Sequence, residues 1–340
     1  MRAKSFGYSS ASAAAFTCGR AAEKVKTFED IIKKNHPNIC GVVVLKDDKL
    51  VYENYENNCN KESKIHIYSV TKSIISLLIG IALDKGYIKD INQKILAFFP
   101  DYKKDKSNKT IENITLKDML TMTAPFKYKD APYIDYFTSS DYLKFSLDML
   151  GGDNEIGSFF YTPLIGPDIF SGIIKNTTNQ SVLEFATKNL FEPLDIIPPK
   201  NITFKSEKEQ IKFNQSIDKN NWVAGTNNLN TAGWGLCLST IDMAKIGQLY
   251  LNCGVYNCKR ILSTKWIKES TSPHINLGDL SYGYLWWILD DHSFIAMGDG
   301  GNSIYVDTKD NIVIAISALF VPNSSEKIEL IKHYIKPAFE

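Results

Sequence analysis

The β-branched runs of this chain lie at its two ends, and neither end holds enough of them to make a robust sheet alone. Near the start, Gly41 to Leu45 and Leu50 to Tyr55 read as two strands joined by a turn at Asp47-Asp48-Lys49. Towards the finish, Tyr284 to Leu289, Ser293 to Met297, Ser303 to Asp307 and Ile312 to Leu319 read as four more, separated by short polar turns. A two-stranded hairpin is only marginally stable in water. The simple solution is one antiparallel sheet built from both ends of the chain. Helical patterns at Val25 to Asn35 and Glu326 to Ile335 would pack on it.

Between the ends the pattern changes. Leu116 to Met122, Asp141 to Leu150, Asp168 to Asn176 and Val182 to Phe191 look helical and are separated by Gly, Pro, Asn and Asp loops. A further helix opens at Thr240-Ile241-Asp242, read as an N-cap threonine with an acid in the first turn, and ends at Gly254. Asn- and Lys-rich stretches near 104–114 and 200–221 read as surface connections. The expected fold class is therefore α/β (α+β), an antiparallel sheet flanked by helices. Residues 25–100 and 225–340 would form a discontinuous sheet domain, 101–224 a mainly helical insertion, and 1–24 a disordered tail.

Charge and composition exclude several functions. The 340 residues carry 39 Lys+Arg against 38 Asp+Glu, a net charge of +1. No basic excess points to nucleic acid or an anionic membrane as partner. The longest apolar stretch, Ile74 to Leu83, is about half of the ~20 residues needed to span a bilayer. Residues 1–24 have too weak an apolar core for a secretory leader, so the expected location is cytoplasmic. Six cysteines (Cys18, Cys40, Cys59, Cys237, Cys253, Cys258) show no framework spacing and are expected as free thiols; Cys253 and Cys258 are the pair that could join in an exported protein. Five dispersed histidines (His36, His66, His274, His292, His333) form no metal-binding pattern, so no metal is expected.

Without a Gly-x-Ser-x-Gly elbow or a glycine-rich phosphate loop, serine chemistry that dispenses with histidine remains. Ser-x-x-Lys occurs at Ser69–Lys72, Ser216–Lys219 and Ser324–Lys327. Ser69 differs from the others in its setting. It follows Ile65-His66-Ile67 and starts an almost wholly apolar helix, which puts Ser69 and Lys72 on adjacent turns of one face. An ammonium on such a helix is poorly solvated, which favours the neutral amine and lets it accept the serine proton. The helix N-terminus offers free N–H groups to a developing oxyanion. The alternative is an N-cap serine with a solvated lysine.

The segment Ile67-Tyr68-Ser69-Val70-Thr71-Lys72-Ser73 resembles the active-serine segment of the serine β-lactamase and penicillin-binding-protein superfamily, in particular its class C-like esterase and 6-aminohexanoate-oligomer-hydrolase branch. Leu83 to Pro100, Ile114 to Thr123, Gly233 to Gly254 and Tyr282 to Trp287 resemble further segments of that branch in order and spacing. The likeness covers roughly residues 40 to 320 and implies a β-lactamase/transpeptidase-like fold. It also implies a second element, Tyr-x-Asn, matched best by Tyr161-Thr162-Pro163, so that Tyr161 would share proton transfer with Lys72 while Pro163 lacks the usual amide. The third element, a basic motif on a strand beside the serine, is matched by Asp299-Gly300-Gly301-Asn302. Asp299, Gly301 and Asn302 would then bind substrate, with the Asn302 N–H joining that of Ser69 in the oxyanion hole.

An acid at position 299 would repel the carboxylate of a β-lactam, which makes neutral or cationic esters and amides the better candidates. Trp286 and Trp287 are adjacent on a strand, so one would face the core and the other the opposite side. The implied function is a serine hydrolase acting by acyl transfer on a small ester or amide, with no metal or organic cofactor. A β-lactamase or D-Ala carboxypeptidase, and a catalytically silent binding module of the same fold, remain as alternatives.

Overall fold

The computed structural model describes residues 19–322, 324 and 327–340. Residues 1–18 with Cys18, and Ser325 and Glu326 of the third Ser-x-x-Lys copy, lie outside the described residues. The five remaining cysteines are free thiols.

Eight strands form the main sheet: β1 (Ile39–Lys46), β2 (Lys49–Tyr55), β3 (Ile275–Asn276), β4 (Ser281–Tyr282), β5 (Trp287–Ile288), β6 (Ser293–Gly298), β7 (Asn302–Asp307) and β8 (Ile312–Ala318). Their spatial order is β2-β1-β8-β7-β6-β5-β4-β3, and every pairing is antiparallel. The first strand and the last thus lie side by side, second and third from one edge. Alternation on these two strands fills both faces: Val43, Leu45, Val313 and Ala315 enter one core, while Val42, Val44, Ile314 and Ile316 enter the other. The hairpin between β1 and β2 turns through Asp47 and Asp48 at φ 49° and 62°, the left-handed conformation that short-armed acids tolerate.

One face is covered by α1 (Gly19–Asn35) and by the C-terminal helical segment 328–338. Helix α1 starts at Gly19, so the expected disordered tail is corrected over 19–24, where the backbone is helical. On the other face lie α2 (Val70–Asp84), α3 (Asp168–Thr178) and α4 (Thr240–Leu251). The cap of α4 is Ser239, not Thr240: the Ser239 hydroxyl accepts from the Asp242 N–H and the Asp242 carboxylate accepts from the Ser239 N–H, a reciprocal capping box. The Thr240 hydroxyl instead meets Ser317 Oγ of β8 at 2.7 Å. The stretches expected as surface connections also hold structure, a short helix at Thr110–Glu112, a strand at Lys200–Ile202 and a helix at Glu207–Asn214.

Helix α2 is the centre of this layer. Every residue from Val70 to Ala82 is buried, as an all-round apolar helix requires. It packs on β6 and β7 on one side and on α3 on the other. No helix among the described residues is long and apolar enough to cross a membrane. Gly80 lets the Trp266 indole lie directly on the α2 backbone; a Cβ there would fall inside van der Waals contact of three ring atoms. Alanine would gain about 1 kcal/mol of helix propensity but overpack a buried indole at a cost of about 1–3 kcal/mol. Gly80→Ala is therefore expected to lower Tm in a thermal melt, and an unchanged or higher Tm would show that the indole yields freely.

Candidate active site

Ser69 sits where the short strand Ile65–His66 turns into α2. The turn is made by Tyr68, which adopts φ 49°, a conformation uncommon for a bulky residue and the one strained point of the segment. N-terminal serines elsewhere in the chain cap their helices: the hydroxyls of Ser181, Ser206, Ser239 and Ser263 each accept from the N–H three residues on. Ser69 makes no such bond. Its hydroxyl lies 2.9 Å from Lys72 Nζ.

Lys72 is 2% exposed, so the reading of a cap serine beside a solvated lysine does not describe this helix. Its Nζ also donates to the carbonyls of Pro163 at 2.6 Å and Gly233 at 3.0 Å, and it stands 5.3 Å from the centroid of the Tyr161 ring. Burial lowers the ammonium's pKa to about 7, against the opposing pull of Asp299 and Asp168. An ammonium has three donors for three oxygens; the neutral amine has two donors for the two carbonyls and a lone pair for the serine hydroxyl. One arrangement therefore satisfies both protonation states, and a proton can pass between Ser69 and Lys72 without repacking.

Two carbonyls converge on Lys72 because two loops meet there. A Cβ on Gly233 would stand 2.9 Å from the Pro163 carbonyl oxygen, so a glycine lets the two acceptors close on one amine. Pro163, which lacks the expected side-chain amide, contributes through its backbone instead. Tyr161, half-buried, packs against Trp287 at 5.7 Å and Tyr282 at 6.3 Å between ring centroids. Trp287 thus belongs to the aromatic wall of the site, whereas Trp286 is fully buried and donates to the Tyr250 hydroxyl at 3.0 Å.

The strand beside the serine is β6, and its last residue, Gly298, lies against the Ser69 backbone. A Cβ at Gly298 would lie 3.1 Å from the Ser69 nitrogen and closer still to the Ile67 carbonyl oxygen. Glycine is what admits the strand to the start of α2. Gly301, expected to bind substrate, has its open side filled by the Lys327 side chain, and Gly300 faces the carbonyls of Ala318 and Leu319. Asn302 is 1% exposed and fastens the turn, its side-chain amide donating to the carbonyls of Asp299 and Ala318 at 2.7 and 2.9 Å and its carbonyl accepting from the Ala318 N–H at 2.9 Å. Asp299 is exposed, and its charge reaches Lys72, Tyr68 and Tyr133.

The other two Ser-x-x-Lys copies lack this setting. Ser216 turns its hydroxyl to the Lys212 carbonyl at an exposed helix end, and Lys327 lies under Gly301 with its Nζ 3.1 Å from His36 Nδ1.

Sequence reasoning missed His66. It is buried, stacked on Tyr68 at 3.9 Å, and its Nε2 accepts the Gly235 N–H at 2.8 Å. Burial drives its pKa to about 3, so the ring is neutral; with Nε2 accepting, the proton sits on Nδ1 and points to Asn214 Oδ1 at 3.2 Å. A lone histidine in a β-branched run carries no signal of such a task. Asp168, buried at the start of α3, was also missed, although an acid leading the apolar run Ile169 to Ile174 is a visible oddity.

Comparison with known proteins agrees with this architecture. An uncharacterized protein of Alkalihalophilus pseudofirmus is 26% identical over 269 residues, 73% of this chain and 70% of that protein. A Bacillus anthracis structure assigned as a 6-aminohexanoate-dimer hydrolase superposes with a TM-score of 0.69 at 21% identity, covering 91% of this chain and 81% of that one. A family VIII carboxylesterase superposes with a TM-score of 0.69 at 13% identity, covering 94% and 98%. The structural likenesses show a shared fold, and the sequence model of the β-lactamase family matches residues 26–330, nearly the whole described chain. The chain belongs to the β-lactamase family.

Proposed function

We propose that the protein is a serine hydrolase that acts by acyl transfer on a small ester or amide. The observation that carries this reading is a hydroxyl that caps nothing, 2.9 Å from a lysine amine buried in a site that lowers its pKa to about 7. Ser69 Oγ attacks the carbonyl carbon while its proton passes to the neutral Lys72 Nζ. The oxyanion forms at the start of α2, where the N–H groups of Val70, Thr71 and Lys72 are taken by the carbonyls of Ile67, Tyr68 and Ser69, leaving the Ser69 N–H to face it. We assign the second donor to the N–H of Asp299, the residue after Gly298, in place of Asn302, because Gly298 is the part of the strand that lies against Ser69. Lys72, with Tyr161 beside it, returns the proton to the leaving group. Water then attacks the acyl-serine, and Lys72 takes the water's proton and restores it to Ser69.

The neighbour assigned as a 6-aminohexanoate-dimer hydrolase and the carboxylesterase fit this reaction class. Asp299 sets a preference within it. Its exposed carboxylate has no ion-pair partner among the described residues, so substrates with a carboxylate near the scissile bond meet like charge, while neutral and cationic ones do not.

Hydrolysis of a panel of p-nitrophenyl esters is expected to fall by about three orders of magnitude in Ser69→Ala, as for loss of a nucleophile. A parent no faster than the variant would mean that the chain keeps the fold without the activity. The family also contains penicillin-interacting enzymes in its wider kinship, and the charge at position 299 separates that reading. Asp299→Lys should raise the acylation rate with a chromogenic cephalosporin, whereas a parent already acylated efficiently would contradict the charge argument.

A further inference from the structure

We propose that Asp168 is a positioning residue for the serine–lysine pair: its buried carboxylate holds the turn whose Gly233 carbonyl receives the Lys72 amine and stands behind that amine as its counter-charge. The proposal rests on the reading of Lys72 as the proton acceptor.

Asp168 is the first residue of α3, a place where an acid ordinarily sits in solvent against the helix dipole. Here it is 1% exposed, and both oxygens turn away from its own helix. Oδ1 accepts the Ala232 N–H at 2.9 Å, and Oδ2 accepts the Tyr136 hydroxyl at 2.6 Å. The Tyr136 oxygen in turn accepts the Trp234 indole N–H at 3.2 Å. On the other side of the same turn, the Gly235 N–H is held by His66. Gly233, between these anchors, is the residue whose carbonyl meets Lys72. The turn 232–235 is therefore clamped from both sides, and what the clamp aims is the acceptor for the amine.

Charge adds to geometry. The groups that face Lys72 are Asp299 from the turn between β6 and β7, Asp168 from α3, and the Tyr161 ring; those that face Asp168 are Tyr136, Tyr142, Asp141 and Lys72. Asp299 is in solvent, where salt and water screen it, whereas Asp168 is not. Burial raises the Asp168 carboxyl to about 6, with the Tyr136 hydroxyl, the Ala232 N–H and Lys72 pulling it down, so it is mostly ionised at neutral pH. An unpaired carboxylate in that interior would be costly, and so would the Lys72 ammonium without it.

The test is the ionisation of Lys72, followed by NMR of lysine labelled with carbon-13 at Cε, the signal being assigned through Lys72→Met. Asp168→Asn keeps an oxygen for the Ala232 N–H and removes the charge. Its Lys72 midpoint is expected about one pH unit below the parent's, the low end of what a close opposite charge does. Tyr136→Phe, which withdraws a donor from the carboxylate, should move the midpoint the same way by less, and it serves as the second variant if the first does not fold. An unchanged Lys72 midpoint in a folded variant would overturn the proposal. In ester turnover, the acid limb of the pH profile should move to lower pH together with a fall in plateau kcat; a lower plateau with the limb in place would reduce Asp168 to a structural role. A parent without ester turnover would sink the hydrolase reading alone, because the titration still reports on Asp168.

Discussion

The site depends on keeping one amine out of water. Lys72 belongs to a helix whose face is buried on every side, and the protein supplies three oxygens in place of solvent. Desolvation disfavours the ammonium, and the oxygens limit the penalty to what leaves both protonation states accessible near neutral pH. A lysine on the protein surface would stay charged and could not accept a proton from serine. The sheet matters to function chiefly as the wall that buries α2 and brings Gly298 against the nitrogen of Ser69.

Each loop that meets Lys72 has its own support, which explains the number of buried polar groups around a single amine. The 161–168 loop brings the Tyr161 ring, the Pro163 carbonyl and Asp168, while the 231–235 turn brings the Gly233 carbonyl between the anchors of Asp168 and His66. Buried polar groups are tolerated when they are hydrogen-bonded. The hydroxyl of Tyr68 is an exception: it is buried without a hydrogen-bond partner next to Ser69, in the residue that carries the strained φ. Strain and an unsatisfied group thus coincide at the residue that precedes Ser69.

The sheet was legible because strands announce themselves by β-branched alternation, and the shortage of strands at each end forces the two ends together. The Ser69–Lys72 pair was legible because helical spacing converts three residues of sequence into a shared face. Pro163 and Gly233 act through backbone carbonyls, which every residue carries, so no side-chain pattern could reveal them. At the Gly298–Asn302 turn, a run of glycines marks a close approach, but which glycine makes it depends on where the strand ends, and β6 runs on to Gly298. Likewise α1 begins six residues before the expected start at Val25, since helix boundaries are less distinct in sequence than helix faces.

The central claim is that Ser69 is made nucleophilic by a neutral Lys72, and the most direct measurement is the pH dependence of covalent labelling by a fluorophosphonate, with the modified residue located by peptide mass. The account predicts a single adduct on Ser69 whose rate of formation climbs as pH rises through about 7, the value to which burial lowers the lysine. A rate that stays flat across that range, or an adduct on another residue, would contradict it.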